Sequence, residues 1–196
     1  MLPDEMIQHS PIAAVVSDPR LPDNPIIACN QAFIDLTGFT REEIIGRNCR
    51  FLRGPDTEDE LTETLRRAIH NRQPALVEIR NYKKDGTPFR NAVMIAPVFD
   101  AEGHVEYFLG SQVEVAETGA HSSDLAREEA LARVNTLPPR QRQILVEMAR
   151  GKLNKQVAWE LGLSERTIKM HRSAMFKTLG VRSSAEAIRV AVEAGL

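Results

Sequence analysis

The apolar residues of this 196-residue chain change their spacing once, around residues 117–123, and that change limits what the chain can fold into. Before it, apolar runs of strand length are bounded by turn residues. Beyond it, apolar residues recur only at helical spacing. A chain that reads as strands with helices first, and helices alone afterwards, calls for two units with separate cores.

In the first unit, PIAAVVSD and NPIIACN are two strands separated by a turn rich in Pro, Asp and Asn. Two short helices follow, QAFIDLTG and TREEIIG, with Gly38 and Gly46 where helices stop. The spacing of Leu61, Leu65, Ala68 and Ile69 predicts a longer helix over 57–71. Three long strands close the unit: ALVEIRNYKK, PFRNAVMIAPVFD and HVEYFLGSQVEV. The turns at Asp85-Gly86 and at Ala101-Glu102-Gly103 make them antiparallel neighbours. The expectation is an α+β domain over 1–118, with a five-stranded antiparallel sheet and helices on one face.

The segment ETGAHSS, 117–123, loses hydrophobicity and reads as a linker, and residues 119–137 read as a linker helix. Pro138-Pro139 stops that helix and starts the next. Four helices are then predicted over 138–196: 140–150 to Gly151, 155–161 to Gly162, 165–179 between Ser164 and Gly180, and 185–194 after Ser183 or Ser184. Charge divides at the same place. Residues 1–120 carry 12 basic and 19 acidic side chains, and residues 121–196 carry 13 and 8. A basic helical unit beside an acidic one suits a polyanionic partner.

The helices at 155–161 and 165–179, joined by Gly162-Leu163-Ser164, form a helix-turn-helix pattern. On a helical wheel Ile168, Met175 and Leu179 share the core face. Arg166, Lys169, Ser173 and Lys177 lie within about 80° of one another on the opposite side. Such a basic, polar face fits the major groove of DNA, with a solvated surface helix as the alternative. The run GKLNKQVAWELGLSERTIKMHRSAMFKTLGV, with the preceding LPPRQRQILVEMARG, resembles the LuxR-type helix-turn-helix over residues 136–196. The resemblance implies a four-helix domain that binds DNA as a dimer, often through its last helix. It puts Lys155, Thr167, Lys169, His171 and Arg172 at DNA-contacting positions.

In the first unit the informative string is GRNCRFL, residues 46–52. Taken from its neighbours alone, Cys49 sits among arginines that would favour its thiolate, and no general base accompanies it as a hydrolase would need. A lone cysteine is otherwise a small buried hydrophobe, which is the reading given to Cys29. GRNCRFL resembles the flavin-adduct motif of LOV domains, a blue-light-sensing class of PAS domain. NYKKDGTPFRN and YFLGSQVEV resemble their later strands, so the resemblance covers residues 10–116. It implies bound FMN, with FAD as the alternative, and light-driven addition of the Cys49 thiol to the flavin ring. Matching positions place Arg50 and Arg66 on the flavin phosphate, where paired guanidinium groups suit a dianion. Asn48, Asn81, Asn91 and Gln112 fall on hydrogen bonds to the ring, and Leu52 lies in the flavin-contacting motif. Arg53 departs from the glutamine usual at a position on the flavin tail.

Together these readings describe a light-regulated transcription factor rather than an enzyme. The sheet would cover the last helix in the dark as a monomer. Light, through Gln112, would release it to dimerise and bind DNA. The alternative is a PAS-type chemical or redox sensor without cysteine photochemistry. No Gly-x-Gly-x-x-Gly follows a strand, which disfavours a nicotinamide-linked oxidoreductase. The five histidines and two cysteines show no metal-ligand spacing. No apolar run approaches the roughly 20 residues of a membrane span, and no secretory signal opens the sequence, so a cytoplasmic location is expected.

Overall fold

The computed structural model describes residues 3–116 and 121–196, with 121–126 described by their backbone alone. The linker expected at 117–123 lies largely outside the described residues. After a short helix α1 (Pro3–Ile7), strands β1 (Ala13–Ser17) and β2 (Ile26–Cys29) lead to helices α2 (Gln31–Thr37) and α3 (Arg41–Ile44). A 3-10 turn over Cys49–Leu52 and helix α4 (Asp59–His70) precede β3 (Ala75–Tyr82), β4 (Pro88–Phe99) and β5 (Val105–Val115). The strands form one antiparallel sheet in the order β2-β1-β5-β4-β3. The expected five strands are present, and α1 and the 3-10 turn are additions.

Asn30 ties the beginning of this unit together. Its side-chain oxygen caps α2 at Phe33 N and accepts from Ala14 N at 2.9 Å. Its amide nitrogen donates to the carbonyls of Ile7, Ser10 and Ile12. One buried side chain thus satisfies backbone groups that neither strand nor helix can pair.

Helices α5 (His121–Asn135), α6 (Pro139–Ala149), α7 (Asn154–Leu161), α8 (Glu165–Leu179) and α9 (Ser184–Glu193) complete the chain. Ser164 and Ser183 cap α8 and α9 by accepting from Thr167 N and Glu186 N, and Gly162 and Gly180 end α7 and α8 with positive φ. Ile168, Met175 and Leu179 are buried, as the wheel requires. Ala130 and Val134 from α5, and Leu137 just after it, join the same core, and the Arg133 guanidinium reaches the last carbonyl of α8 at Leu179.

The two units share one core. Helix α9 packs on β3, β4 and β5 while also meeting α1, α5 and α6. Residues Ala14, Met94, Ala96 and Leu109 on that face of the sheet cluster with Ile188 and Ala191. The helices α2, α3 and α4 lie against the other face.

Asn30→Ala is expected to lower stability by about 3 kcal/mol, because several buried backbone groups lose their only side-chain partner. Urea unfolding followed by circular dichroism measures it, and a loss below about 1 kcal/mol contradicts the role given to Asn30.

Candidate functional site

Between the sheet and its covering helices lies a cavity of about 510 Å³. That volume falls within the range of small-molecule and cofactor sites. Alternation along the strands builds its apolar wall, because Val15, Ile79, Val93, Ile95 and Phe108 all face the same side. Leu65 and Ile69, one helical turn apart on α4, close it from above. These aliphatic positions were legible as core residues but not as a cavity lining.

Cys49, at the start of the 3-10 turn, lines this cavity with Asn48, whose side chain caps the turn by accepting from Arg50 N. Desolvation by burial pushes the Cys49 thiol up to about 12. This corrects the thiolate expected from neighbouring arginines. The Arg50 guanidinium is held by both oxygens of Asp23, at 2.6 and 2.7 Å, and Arg47 stacks over Phe51. Neighbours along the chain are therefore not neighbours of the sulfur, which stays protonated at ordinary pH.

Arg50, Arg53 and Arg66 line the open end of the cavity, each with a carboxylate partner: Asp23, Asp59 and Glu63. His70, one turn beyond Arg66, lines it too. Asn81 and Gln112 reach the cavity from β3 and β5. Asn91 stands behind them, fully buried, donating to the Asn81 side-chain oxygen at 2.9 Å. Leu52 is 1% exposed and packs with Phe33 and Ile44, so it supports the 3-10 turn rather than lining the cavity.

Three buried side-chain oxygens in or beside this cavity lack a hydrogen-bond partner: those of Asn24, Asn91 and Gln112. Buried amides are normally satisfied. Three orphaned acceptors around one cavity fit a bound group that presents donors, and the arginines at its mouth fit an anionic tail. Asn24 was not singled out from sequence. Its left-handed φ of 48° in a Pro/Asp/Asn-rich turn is the feature that marks it.

The PAS domain family profile matches residues 13–117, more than half of the chain, and spans both the sheet and the cavity. The chain belongs to the PAS domain family. A second profile, bacterial regulatory proteins of the luxR family, matches residues 135–191, so a luxR-type helix-turn-helix domain follows the PAS domain. The chain is 43% identical over 128 residues to "Blue-light-activated histidine kinase 1" of Erythrobacter litoralis. That match covers 65% of this chain and 36% of the kinase, so the chain spans about a third of that relative's length. Among solved structures it is similar to the light-state LOV domain of the blue-light photoreceptor Aureochrome1, at 38% identity and a TM-score of 0.53, covering 58% of this chain and 86% of that one. It is also similar to the light-state dimer of the fungal blue-light photoreceptor Vivid, at 35% identity and a TM-score of 0.52, covering 53% and 78%.

In the luxR-type domain, Lys155, Arg166, Lys169, Ser173 and Lys177 are exposed on α7 and α8. Thr167 and His171 are half-buried, and the Thr167 hydroxyl bonds Ser164 at 2.8 Å. Arg172 turns inward instead. Its guanidinium meets Asn154 on α7 and Ser184 at the start of α9 and lies over the Phe176 ring, and burial depresses its pKa. It fastens three helices together rather than joining the outer face. Among the described residues no cluster of His, Cys, Asp and Glu suits a metal, and no helix is long and apolar enough to cross a membrane.

A thiol raised from 9.0 to about 12 has roughly 1000-fold less thiolate at pH 8. Cys49 in a Cys29→Ala background, with the cavity empty, should therefore be alkylated by iodoacetamide far more slowly than free cysteine, with the rate still rising above pH 10. Alkylation at the rate of free cysteine would place the thiol in water.

Proposed function

We propose that this chain is a blue-light-regulated, DNA-binding transcription factor that holds FMN in the PAS cavity. The observation that carries it is the cavity itself, with a protonated Cys49 at its wall, orphaned amide oxygens at one side and arginines at its mouth. The similarity to blue-light photoreceptors supports the same reading. Arg50 and Arg66 would hold the phosphate, with Arg53 beside the tail, and Asn48, Asn81, Asn91 and Gln112 would meet the ring. A bound flavin would supply the absorption of blue light, an electrophilic ring carbon for the Cys49 sulfur and a ring nitrogen for its proton.

The chain's own residues carry the change outward. Gln112 can present either its nitrogen or its oxygen to the cavity, and loss of an acceptor there in favour of a donor turns the amide over. Ser111, the next residue on β5, faces the opposite side of the sheet and accepts from Arg189 of α9 at 3.2 Å. The same guanidinium donates to the Ala92 carbonyl at 3.1 Å. A rearrangement at Gln112 is thus one residue away from the contact that holds α9. In the dark this contact keeps the apolar face of α9, with Ile188 and Ala191, covered and the protein monomeric. In light the equilibrium shifts, α9 is released to pair with a second copy, and two α8 helices bind DNA together. The protein acts as a regulator in the cytoplasm, not as an enzyme.

Cys49→Ala should keep FMN bound but abolish light-induced bleaching of its visible band. Normal bleaching and recovery would remove Cys49 from the chemistry and favour a chemical or redox sensor. Replacing Arg50 and Arg66 together should release FMN on dialysis, as the phosphate loses two charge-assisted partners.

Lys169→Ala should weaken DNA binding in light yet leave photochemistry and dimerisation intact. Ile188→Asp should block dimerisation and loosen the docked arrangement as well, since both use one face. Size-exclusion chromatography and gel shifts in dark and light measure these effects. Equal DNA affinity in both conditions for the wild type would defeat the release mechanism.

A further inference from the structure

The luxR-type domain meets the PAS domain at a second place, far along the chain from α9. The turn between α6 and α7 docks on the end of β4. Phe99 N donates to the Gly151 carbonyl at 3.0 Å. Gly151 is buried there with φ +82°, and a Cβ on it would collide with the Pro97 carbonyl and the Phe99 ring. On the first turn of α7, the Gln156 amide donates to the Asp100 carbonyl, while its oxygen accepts from Leu153 N at 2.7 Å. The β4–β5 turn, residues 100–103, is thus held against the start of α7 by backbone groups and a glycine-sized gap.

The start of α7 is also where DNA would come. In a helix-turn-helix the first helix crosses the sugar–phosphate backbone while the second enters the major groove. Lys155, exposed on that first turn, is the immediate neighbour of Gln156. The docked turn carries the exposed Glu102, a carboxylate that a phosphate backbone repels, while the Asp100 carboxylate shapes the turn by accepting from Glu102 N and His104 N. We propose that the β4–β5 turn occupies the path of the DNA backbone at the start of α7, so that docking on the PAS domain and binding of duplex DNA exclude each other even for a single, unpaired copy. This rests on the reading of α7 and α8 as a DNA-binding pair. It goes beyond the covering of α9, which withholds only the second copy. By linkage, duplex DNA itself favours undocking in darkness, since two ligands of one surface oppose each other to the same degree.

The test uses the full chain in the dark and a fluorescent duplex of about 12 base pairs of mixed sequence, too short for two domains spaced a helical turn apart. Anisotropy is read at low salt, where phosphate contacts dominate. Gly151→Asn keeps a residue that tolerates the left-handed backbone, yet its Cβ cannot pass the Pro97 carbonyl. Gln156→Ala removes the bond to Asp100. Its lost contact to Leu153 N would weaken α7 and so act against tighter binding. Both variants are expected to bind the short duplex about tenfold more tightly than the wild type while remaining monomeric by light scattering. Binding by Gln156→Ala no tighter than the wild type overturns the inference. If Lys169→Ala also leaves wild-type binding unchanged, the DNA-binding face itself is misassigned. If Lys169→Ala abolishes binding while Gln156→Ala changes nothing, only the competition fails.

Discussion

The arrangement depends on the burial of α9 between two partners. Residues Ala185 through Ala191 are all buried, a continuous stretch that no helix on a solvated surface shows. The sheet covers one side, and α5 and α6 cover the other. The helix therefore belongs to both domains, and their cores merge through it. Within that stretch sits Arg189, its side chain 7% exposed, paired with Glu193 at 2.7 Å and bonded to Ala92 and Ser111. The Glu193 pair lies within α9 itself, so what crosses to the sheet is two hydrogen bonds from one charged side chain, and their gain is offset by the cost of taking that charge out of water. The contact is specific in geometry but restrained in strength.

The cavity and the interface lie on opposite faces of the same three strands. Alternation alone does this: Gln112 and Val93 point to the cavity, and Ser111 and Met94 point to α9. No separate relay is required between them, because neighbouring residues on a strand belong to different faces. The luxR-type domain and the cavity are thereby separated by a single sheet.

Much of this was legible in the sequence. The strands were visible because alternation and Gly turns are local, and the helix-turn-helix because Ser caps, Gly stops and the Ile168–Met175–Leu179 stripe are local too. The state of Cys49 was not. Its sulfur is governed by what surrounds it in space, and the arginines beside it in sequence are engaged by Asp23 and Phe51. Arg172 shows the same limit: the resemblance puts it among the DNA-contacting positions, yet only the structure shows Asn154 and Ser184 holding its guanidinium. Leu52 belonged to a motif and proved to be packing. The docking of Gly151 on Pro97 and Phe99 could not be read at all. A glycine that ends a helix explains itself locally, so its second role, admitting another domain's backbone, leaves no mark.

Strand β5 lies in the interior of the sheet, with β1 on one side and β4 on the other, and Gln112 is paired with Ala13 and Val93 at once. An edge strand can slide or peel. A strand gripped on both margins cannot, and a slip of one residue would turn Gln112 away from the cavity and bring Ser111 into it. The strand is therefore a fixed rail rather than a piston. What such a strand leaves free is orientation: that of the Gln112 amide on one face and of the Ser111 hydroxyl on the other.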